Sequence, residues 1–348
     1  MTTAMKNIRT LILCLLALAL ASCQRAFSPS DEPDNPINVF EYLWNKLDQQ
    51  YAFFDVKNVD WDAVHEQYRP MVYDEMSDDS LFNVCAAMLN TLQDGHTNLM
   101  SSFDVSNPDS LSYIMYTQSQ FNRDLVLMNY LTTNYHTTGS FAHNAIRNGD
   151  VAYIRYSSFS NTINKEDMLY IVEHYKDCKG LIFDMRQNGG GADNNIEMLL
   201  SIFDNHGQVI QMNQMKSGPK HDDFTEPRPV YAADTSLLGS NPYNKPVAVL
   251  IDRGSFSATS YFAVCTMAYD NIKLFGDYTG GGLGMPNGGA LPNGWTYRFS
   301  ISRTLTADGQ HPEYENGVPP DVHVLLDPDL TAQGIDNIIE TAADWIVQ

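Results

Sequence analysis

The sequence predicts an α/β chain, with a core of layered sheets and helices behind a small helical N-terminal unit. Two observations carry this reading. From about residue 97 short apolar runs alternate with helically spaced stretches, the order from which layered cores are built. Before that point the apolar residues recur at helical spacing. Length sets the scale: 348 residues, 43% hydrophobic and 18% charged, suffice for a sizeable core and fall outside the disordered and fibrous classes.

The elements follow in chain order. Lys6 and Arg9 precede the apolar run Leu11 to Leu20, and Ala21-Ser22 leads into Cys23, the n-region, h-region and cleavage site of a secretory signal covering 1–22. The run is too short for a stable membrane anchor. Residues 24–36 (QRAFSPSDEPDNP) are polar, acidic and proline-rich, so that 23–36 reads as a tether. Asn35-Pro36 opens a helix carrying Ile37, Phe40, Trp44, Leu47 and Tyr51 at helical spacing, and a second follows Asp78-Asp79-Ser80 with Leu81, Val84, Cys85, Met88, Leu89 and Leu92 on one face. Residues 37–93 are thus predicted to be a helical unit and 94–348 the α/β core. Within that core VAYIRY (151–156), GLIFDM (180–185), PVAVLI (246–251), IKLFG (272–276) and the later DVHVLL read as strands. Helices are predicted over 165–177, 193–203, 257–269 and 331–347. Two Gly/Pro/polar stretches, 213–229 and 277–294, read as long loops, which in compact domains often carry function.

Charge excludes one class of partner. Forty-two acids against 21 bases give −21, and loss of residues 1–22 removes two bases and no acid, leaving −23. A nucleic-acid partner requires a positive patch, which this balance argues against. Of five cysteines, Cys14 lies in the signal and Cys23 at its end. Cys85, Cys178 and Cys265 sit in apolar-periodic stretches, which predicts buried free thiols. There is no HExxH or paired Cys/His spacing, so no metal is predicted.

Four segments could carry chemistry. In Leu92-Gln93-Asp94-Gly95-His96-Thr97 the Asp-Gly pair forces a turn that displays His96. FDMRQNGGGAD (183–193) is a buried strand followed by three glycines and a helix start, where backbone N–H groups can approach a ligand and the helix terminus favours negative charge. Asp252-Arg253-Gly254-Ser255-Phe256-Ser257-Ala258 joins a strand to a helix; such a junction can raise a serine hydroxyl above the sheet edge beside a free N–H, although either serine could equally cap the helix. Pro312 to Asp321 (PEYENGVPPD) is an acidic turn.

Two resemblances refine these readings. Leu20-Ala21-Ser22-Cys23 resembles the lipobox of bacterial lipoproteins, which implies diacylation at Cys23 and a cell-envelope location, lipid-anchored at the outer membrane. The order DGHT, D-x-R-x-N-G-G-G, S-x-S-A, TGGG-x-G (Thr279 to Gly284) and E-N-G-V-x-P-D resembles the C-terminal-processing and tricorn-core serine peptidases over about 37–347. That likeness implies a crotonase-like (ClpP-like) core with an N-terminal helical cap. By position Ser257 is implied as nucleophile, with Ser255 as helix cap. The processing-peptidase branch places a lysine base in the later glycine loop, but here that position is Gly282 and residues 274–294 contain no lysine. The tricorn-like branch implies instead His96 as base and Glu315 as its partner, with Glu313 the runner-up; some of its members carry a serine where this chain has Gly95. The oxyanion hole is implied at the N–H groups of Ala258 and of Gly190, within the glycines 189–191. The 47 residues from Asp104 to Asp150 are too few for the PDZ domain many relatives insert. The expected function is a lipid-anchored serine endopeptidase without a cofactor, acting on peptides or unfolded proteins through a Ser-His-Glu mechanism and an acyl-enzyme. The alternative is a catalytically inactive lipoprotein that binds peptides or small ligands on the same fold.

Overall fold

The computed structural model describes residues 33–108, 114–203, 207–233 and 236–348. The signal segment, Cys23 and the tether as far as residue 32 lie outside the described residues. Among those described, no helix is long and apolar enough to cross a membrane.

The centre is a seven-stranded sheet whose strands lie side by side in chain order: β1 (His136–Thr138), β2 (Phe141–Ile146), β3 (Val151–Tyr156), β4 (Gly180–Asp184), β5 (Val247–Ile251), β6 (Ile272–Gly276) and β7 (Val322–His323). From β3 to β7 neighbours run parallel, and β1 and β2 add antiparallel at one edge. Every residue of β4 and β5 is buried, as parallel strands require when helices cover both faces. On one face Ile154, Leu181, Phe183, Val249 and Ile251 pack beneath α4 (Lys165–His174), α5 (Asn194–Leu200) and α6 (Ala258–Thr266). On the other, Tyr153, Ile182, Ala248 and Leu250 meet α7 (Asn337–Val347) through Ile338, Ile339, Ala342 and Ala343.

The N-terminal helices begin where side chains can satisfy their first N–H groups. In α1 (Pro36–Gln50) Asn35 accepts from Asn38 N–H with Pro36 in the first turn, and Asp60 caps α2 (Trp61–Tyr68). Ser77 caps α3 (Asp78–Asn90), so Asp78 and Asp79 fall inside its first turn, where the helix dipole favours them. The apolar faces of α1 and α3 do not close a core alone. They share one with Tyr297 and Phe299 of a three-stranded antiparallel sheet of Asn98–Met100, Thr296–Ser300 and Pro286–Ala290, and with Leu291 and Trp295 of the turn joining its last two strands. This sheet completes the core of the cap.

The two long loops expected at 213–229 and 277–294 are partly strand. Val209–Met215 pairs antiparallel with Arg228–Tyr231 and with Ser302–Leu305, and Pro286–Ala290 pairs with Thr296–Ser300. Their glycines, prolines and amides hid them, because these strands are half exposed and are held by their partners rather than by burial. In DVHVLL only Val322–His323 pairs. The interval from Asp104 to Asp150 includes the β1–β2 edge hairpin and a helical segment whose Leu125, Val126, Tyr130 and Leu131 pack on the α7 face.

Candidate active site

After α3 the chain turns at Asp94-Gly95, and the buried Asp94 fixes that turn. Its Oδ1 accepts the His96 N–H at 2.7 Å, while its Oδ2 accepts from Thr97 Oγ1 at 3.2 Å and Ser300 Oγ at 3.0 Å. Asp94 therefore ties the DGHT turn to the cap sheet. His96 is 7% exposed. Its Nδ1 lies 2.8 Å from the Gly284 carbonyl and its Nε2 lies 3.0 Å from Ser257 Oγ. A carbonyl oxygen can only accept, so Nδ1 carries the proton and Nε2 presents its lone pair to the serine hydroxyl. Burial lowers the pKa of His96; nearby Asp94 opposes this and Arg298 adds to it.

Ser257 arrives from the other side of the fold, at the turn between β5 and α6. Its φ of 55° and ψ of −120° are strained for a residue with a Cβ, the mark of a hydroxyl held up at a strand-to-helix elbow. Its N–H donates to Gly281 O at 3.0 Å. Ser257 stands at the helix cap position yet makes no capping bond. Ser255 is not the helix cap expected of it. It is fully buried, accepting from Asp252 N–H at 3.0 Å and donating to Met185 O at 2.9 Å.

The glycine loop behaves differently from expectation in one respect. Gly190 does pack against the elbow: at φ 91° a Cβ there would stand 2.6 Å from Phe256 O, 2.8 Å from Ala258 N and 2.9 Å from Ser257 Cβ. Its own N–H, however, donates to Asn188 Oδ1 at 3.1 Å, so Gly190 is not an oxyanion donor in this arrangement. Gly189 and Gly191 line the cavity, as does Ala258 in the first turn of α6. Arg186, in the same segment, is also structural. It is fully buried between Asp184 and Asp336, at 2.5 Å and 2.9 Å.

Glu315 is not in contact with the histidine either. Its Oε2 accepts the N–H groups of Leu283, at 2.6 Å, and Gly284, at 3.2 Å, while its Oε1 lies 3.9 Å from Lys57 Nζ. The loop 279–284 comes between them, so the carboxylate reaches His96 only through the Gly284 peptide whose carbonyl orients Nδ1. Burial, with the negative charge of Asp94, pushes the Glu315 pKa up to about 8, against Lys57 and the two N–H groups. Tyr51, buried beside both carboxylates, is pushed well above its ordinary range by burial first and by their charge. Glu313 is exposed and bonded to His311 at 2.7 Å.

Phe256, between the two serines, accounts for both departures from the family pattern. A Cβ at Gly95 would meet its ring at 2.8 Å and one at Gly282 would meet it at 2.5 Å. The ring therefore fills the space beside the two positions where the resemblance implies a serine or a lysine, and it packs edge-on against His96 with centroids 5.0 Å apart. Lys57, the lysine paired with Glu315, donates to Gln93 O and Asn316 Oδ1 and does not line the Ser257 cavity. That cavity, about 420 Å³, is lined by His96, Ser257, Asp193, Tyr261 and Arg298 among others. Arg298 is aimed by the buried Asn98, whose Oδ1 accepts from its Nε at 2.7 Å. Reading the sequence missed Asp94, Phe256, Asp193 and Arg298. Asp94 was visible as the aspartate of the DGHT turn, whereas Arg298 gave no local signal because it reaches the site from a strand two hundred positions from its partner Asn98.

The chain matches the model of peptidase family S41 over residues 150–324 and that of the tricorn protease C1 domain over 35–90. It is 28% identical over 186 residues to the carboxy-terminal processing protease CtpA of Bacillus subtilis (strain 168), a stretch covering 53% of this chain and 37% of that protein. The chain thus spans little more than a third of the length of the curated relatives it matches. Among solved structures, a candidate peptidase from Parabacteroides merdae ATCC 43184 superposes with a TM-score of 0.83 at 36% identity, covering 91% of this chain and 98% of that one. Mature CPAF gives 0.60 at 12% identity over 90% of this chain and 96% of that one, a likeness of fold alone.

Proposed function

The chain belongs to peptidase family S41, and we propose that it is a serine endopeptidase in which Ser257 is the nucleophile and His96 the general base. The observation that carries this is the 3.0 Å approach of His96 Nε2 to Ser257 Oγ across 161 positions of sequence, with Nδ1 held on a carbonyl. In this reading Nε2 takes the hydroxyl proton as Oγ attacks the scissile carbonyl, and returns it to the leaving amine. An acyl-enzyme forms at Ser257, and the same nitrogen then activates the water that hydrolyses it. The oxyanion is held by the Ala258 N–H together with an N–H of Gly189 or Gly191, in place of Gly190. Glu315 acts as a positioning residue: it fixes the Gly284 peptide, whose carbonyl sets the tautomer of His96. Support for the tricorn-like branch comes from the C1-domain match over 35–90 and from the absence of lysine between 274 and 294.

Labelling with a fluorophosphonate and mapping the adduct tests the assignment. Label is expected on Ser257 and is lost in Ser257→Ala and in His96→Ala; label retained in Ser257→Ala refutes it. Substrates in this reading are peptides or unfolded proteins that fit the cleft. We further propose that Cys23 is acylated and anchors the chain at the outer membrane, supported by Leu20-Ala21-Ser22-Cys23 and the acidic, proline-rich residues that follow. A Cys23→Ser chain that still fractionates with membranes and is processed unchanged would refute the anchor.

A further inference from the structure

A second cavity, of about 270 Å³, adjoins the first and shares Asp193 and Tyr261 with it. Its remaining walls are mainly apolar: Ile196 and Leu200 of α5, Ile210 and Val230 of the antiparallel pair, and Cys265 of α6. Tyr261 and Cys265 stand one turn apart on α6, about 5.4 Å along it, and the Tyr261 N–H donates to Ser257 O at 2.9 Å. The cavity therefore begins in the first turn after the nucleophile, against the cavity that Ser257 itself lines. Burial pushes the Cys265 thiol far up, so the wall it forms is neutral. At the rim, the carboxylates of Asp193 and Glu197 are exposed and make no salt bridge or side-chain hydrogen bond among the described residues. Partial desolvation of its carboxyl by the cavity wall raises the Asp193 pKa, against the nearby His96.

From this geometry we infer that the second cavity is the specificity pocket for the residue on the acyl side of the scissile bond, and that it takes an uncharged, medium-to-large apolar side chain such as Leu, Met or Phe. The inference rests on the peptidase reading above. The leaving nitrogen has to face His96, which stands on the cap side of Ser257. The acyl residue then lies on the opposite flank, by the glycine loop and α5, where this cavity is. Its apolar walls favour an apolar side chain by desolvation, and the unpaired carboxylates at the rim repel an acidic one.

The test uses fluorescein-labelled peptides that differ at one position, Leu, Phe, Ala or Asp. Cleavage by the full chain is mapped by mass spectrometry, and binding to Ser257→Ala is followed by anisotropy. Cleavage after Leu and Phe is expected to exceed that after Ala by about tenfold or more, and Asp to be the poorest. Val230→Trp, which fills the partly buried rim, should collapse the Leu-to-Ala ratio. Leu and Ala peptides treated alike in both cleavage and affinity, or Val230→Trp lowering both equally, would overturn the pocket. A peptide set that shows the affinity order on Ser257→Ala but is cut nowhere by the unaltered chain overturns the peptidase reading and leaves the pocket standing.

Discussion

Two buried polar clusters lie at the end of the central sheet, one around Arg186 and one around His96 and Ser257. In the first every guanidinium nitrogen donates. Arg186 Nε donates to Asp184 Oδ1 at 3.0 Å, Nη2 to Asp184 Oδ2 at 2.5 Å, and Nη1 to both Gln120 O at 2.7 Å and Asp336 Oδ2 at 2.9 Å. Asp336 also caps α7 by accepting from Ile338 and Ile339 N–H. The result is a closed knot that ties the end of β4 to the start of α7. In the second cluster the bonds stop short. Ser257 Oγ has His96 as its side-chain partner and otherwise faces a cavity. Saturation marks the structural cluster and an unfilled valence the chemical one, although both come from motifs of the same kind.

The comparison predicts opposite consequences of mutation. The largest effect should be on activity: Ser257→Ala is expected to lower kcat/KM by about 10⁴- to 10⁶-fold while leaving the melting temperature unchanged. Ser255→Ala should do the reverse, since it strips a buried partner from Asp252 N–H and Met185 O; about 1–3 kcal/mol of stability is expected to go, with turnover retained in whatever remains folded. Kinetics and calorimetry on both variants would break the distinction if they behaved alike.

Next in size is the knot itself. Arg186→Met leaves two buried carboxylates without their cation, a loss of about 3–5 kcal/mol, measurable by urea unfolding. A variant as stable as the parent would show that saturation is not what holds this end of the sheet.

A smaller effect concerns pH. Burial holds the His96 pKa below the ordinary 6.5, so the acidic limb of kcat/KM should fall below that value, the rate being lost as the imidazole takes up a proton. Arg298 contributes to the lowering, so Arg298→Gln should move the limb to higher pH. A limb that does not move would remove Arg298 from the electrostatics of the site.

The smallest effect is expected at Glu315. Its carboxyl rises from an ordinary 4.5 to about 8 in the folded chain, so it binds its proton more tightly folded than unfolded. Its contribution to stability is full below about pH 4.5 and is lost as pH rises through about 8. Glu315→Gln, which keeps an acceptor for Leu283 and Gly284 N–H, should therefore lose ground to the parent at pH 5 and gain on it at pH 8.5, with only a modest change in turnover. Melting curves at the two pH values decide this. Turnover collapsing in Glu315→Gln would instead restore a direct ionic role.

Much of this was legible in the sequence, and the residues show why. The strands 151–156 and 272–276 are legible to the residue, because all their residues but Arg155 and Lys273 are buried and the apolar runs end at polar turns. Asn35-Pro36 announced α1 through its own cap chemistry. The family resemblance carried by the order of the motifs implied Ser257 and His96 as partners, and the structure sets His96 Nε2 3.0 Å from Ser257 Oγ. What the sequence could not decide were contacts whose partners lie far along the chain. The half-exposed strands of 209–215 and 286–290 exist through pairing, which composition does not record. Tertiary packing set Glu315 on two backbone N–H groups behind the Gly284 peptide, engaged the Gly190 N–H with Asn188, and let the Phe256 ring fill the space beside Gly95 and Gly282. Local sequence determines which residues stand at turns and strand ends; which atom each one faces is fixed by the packing of segments brought together from across the whole chain.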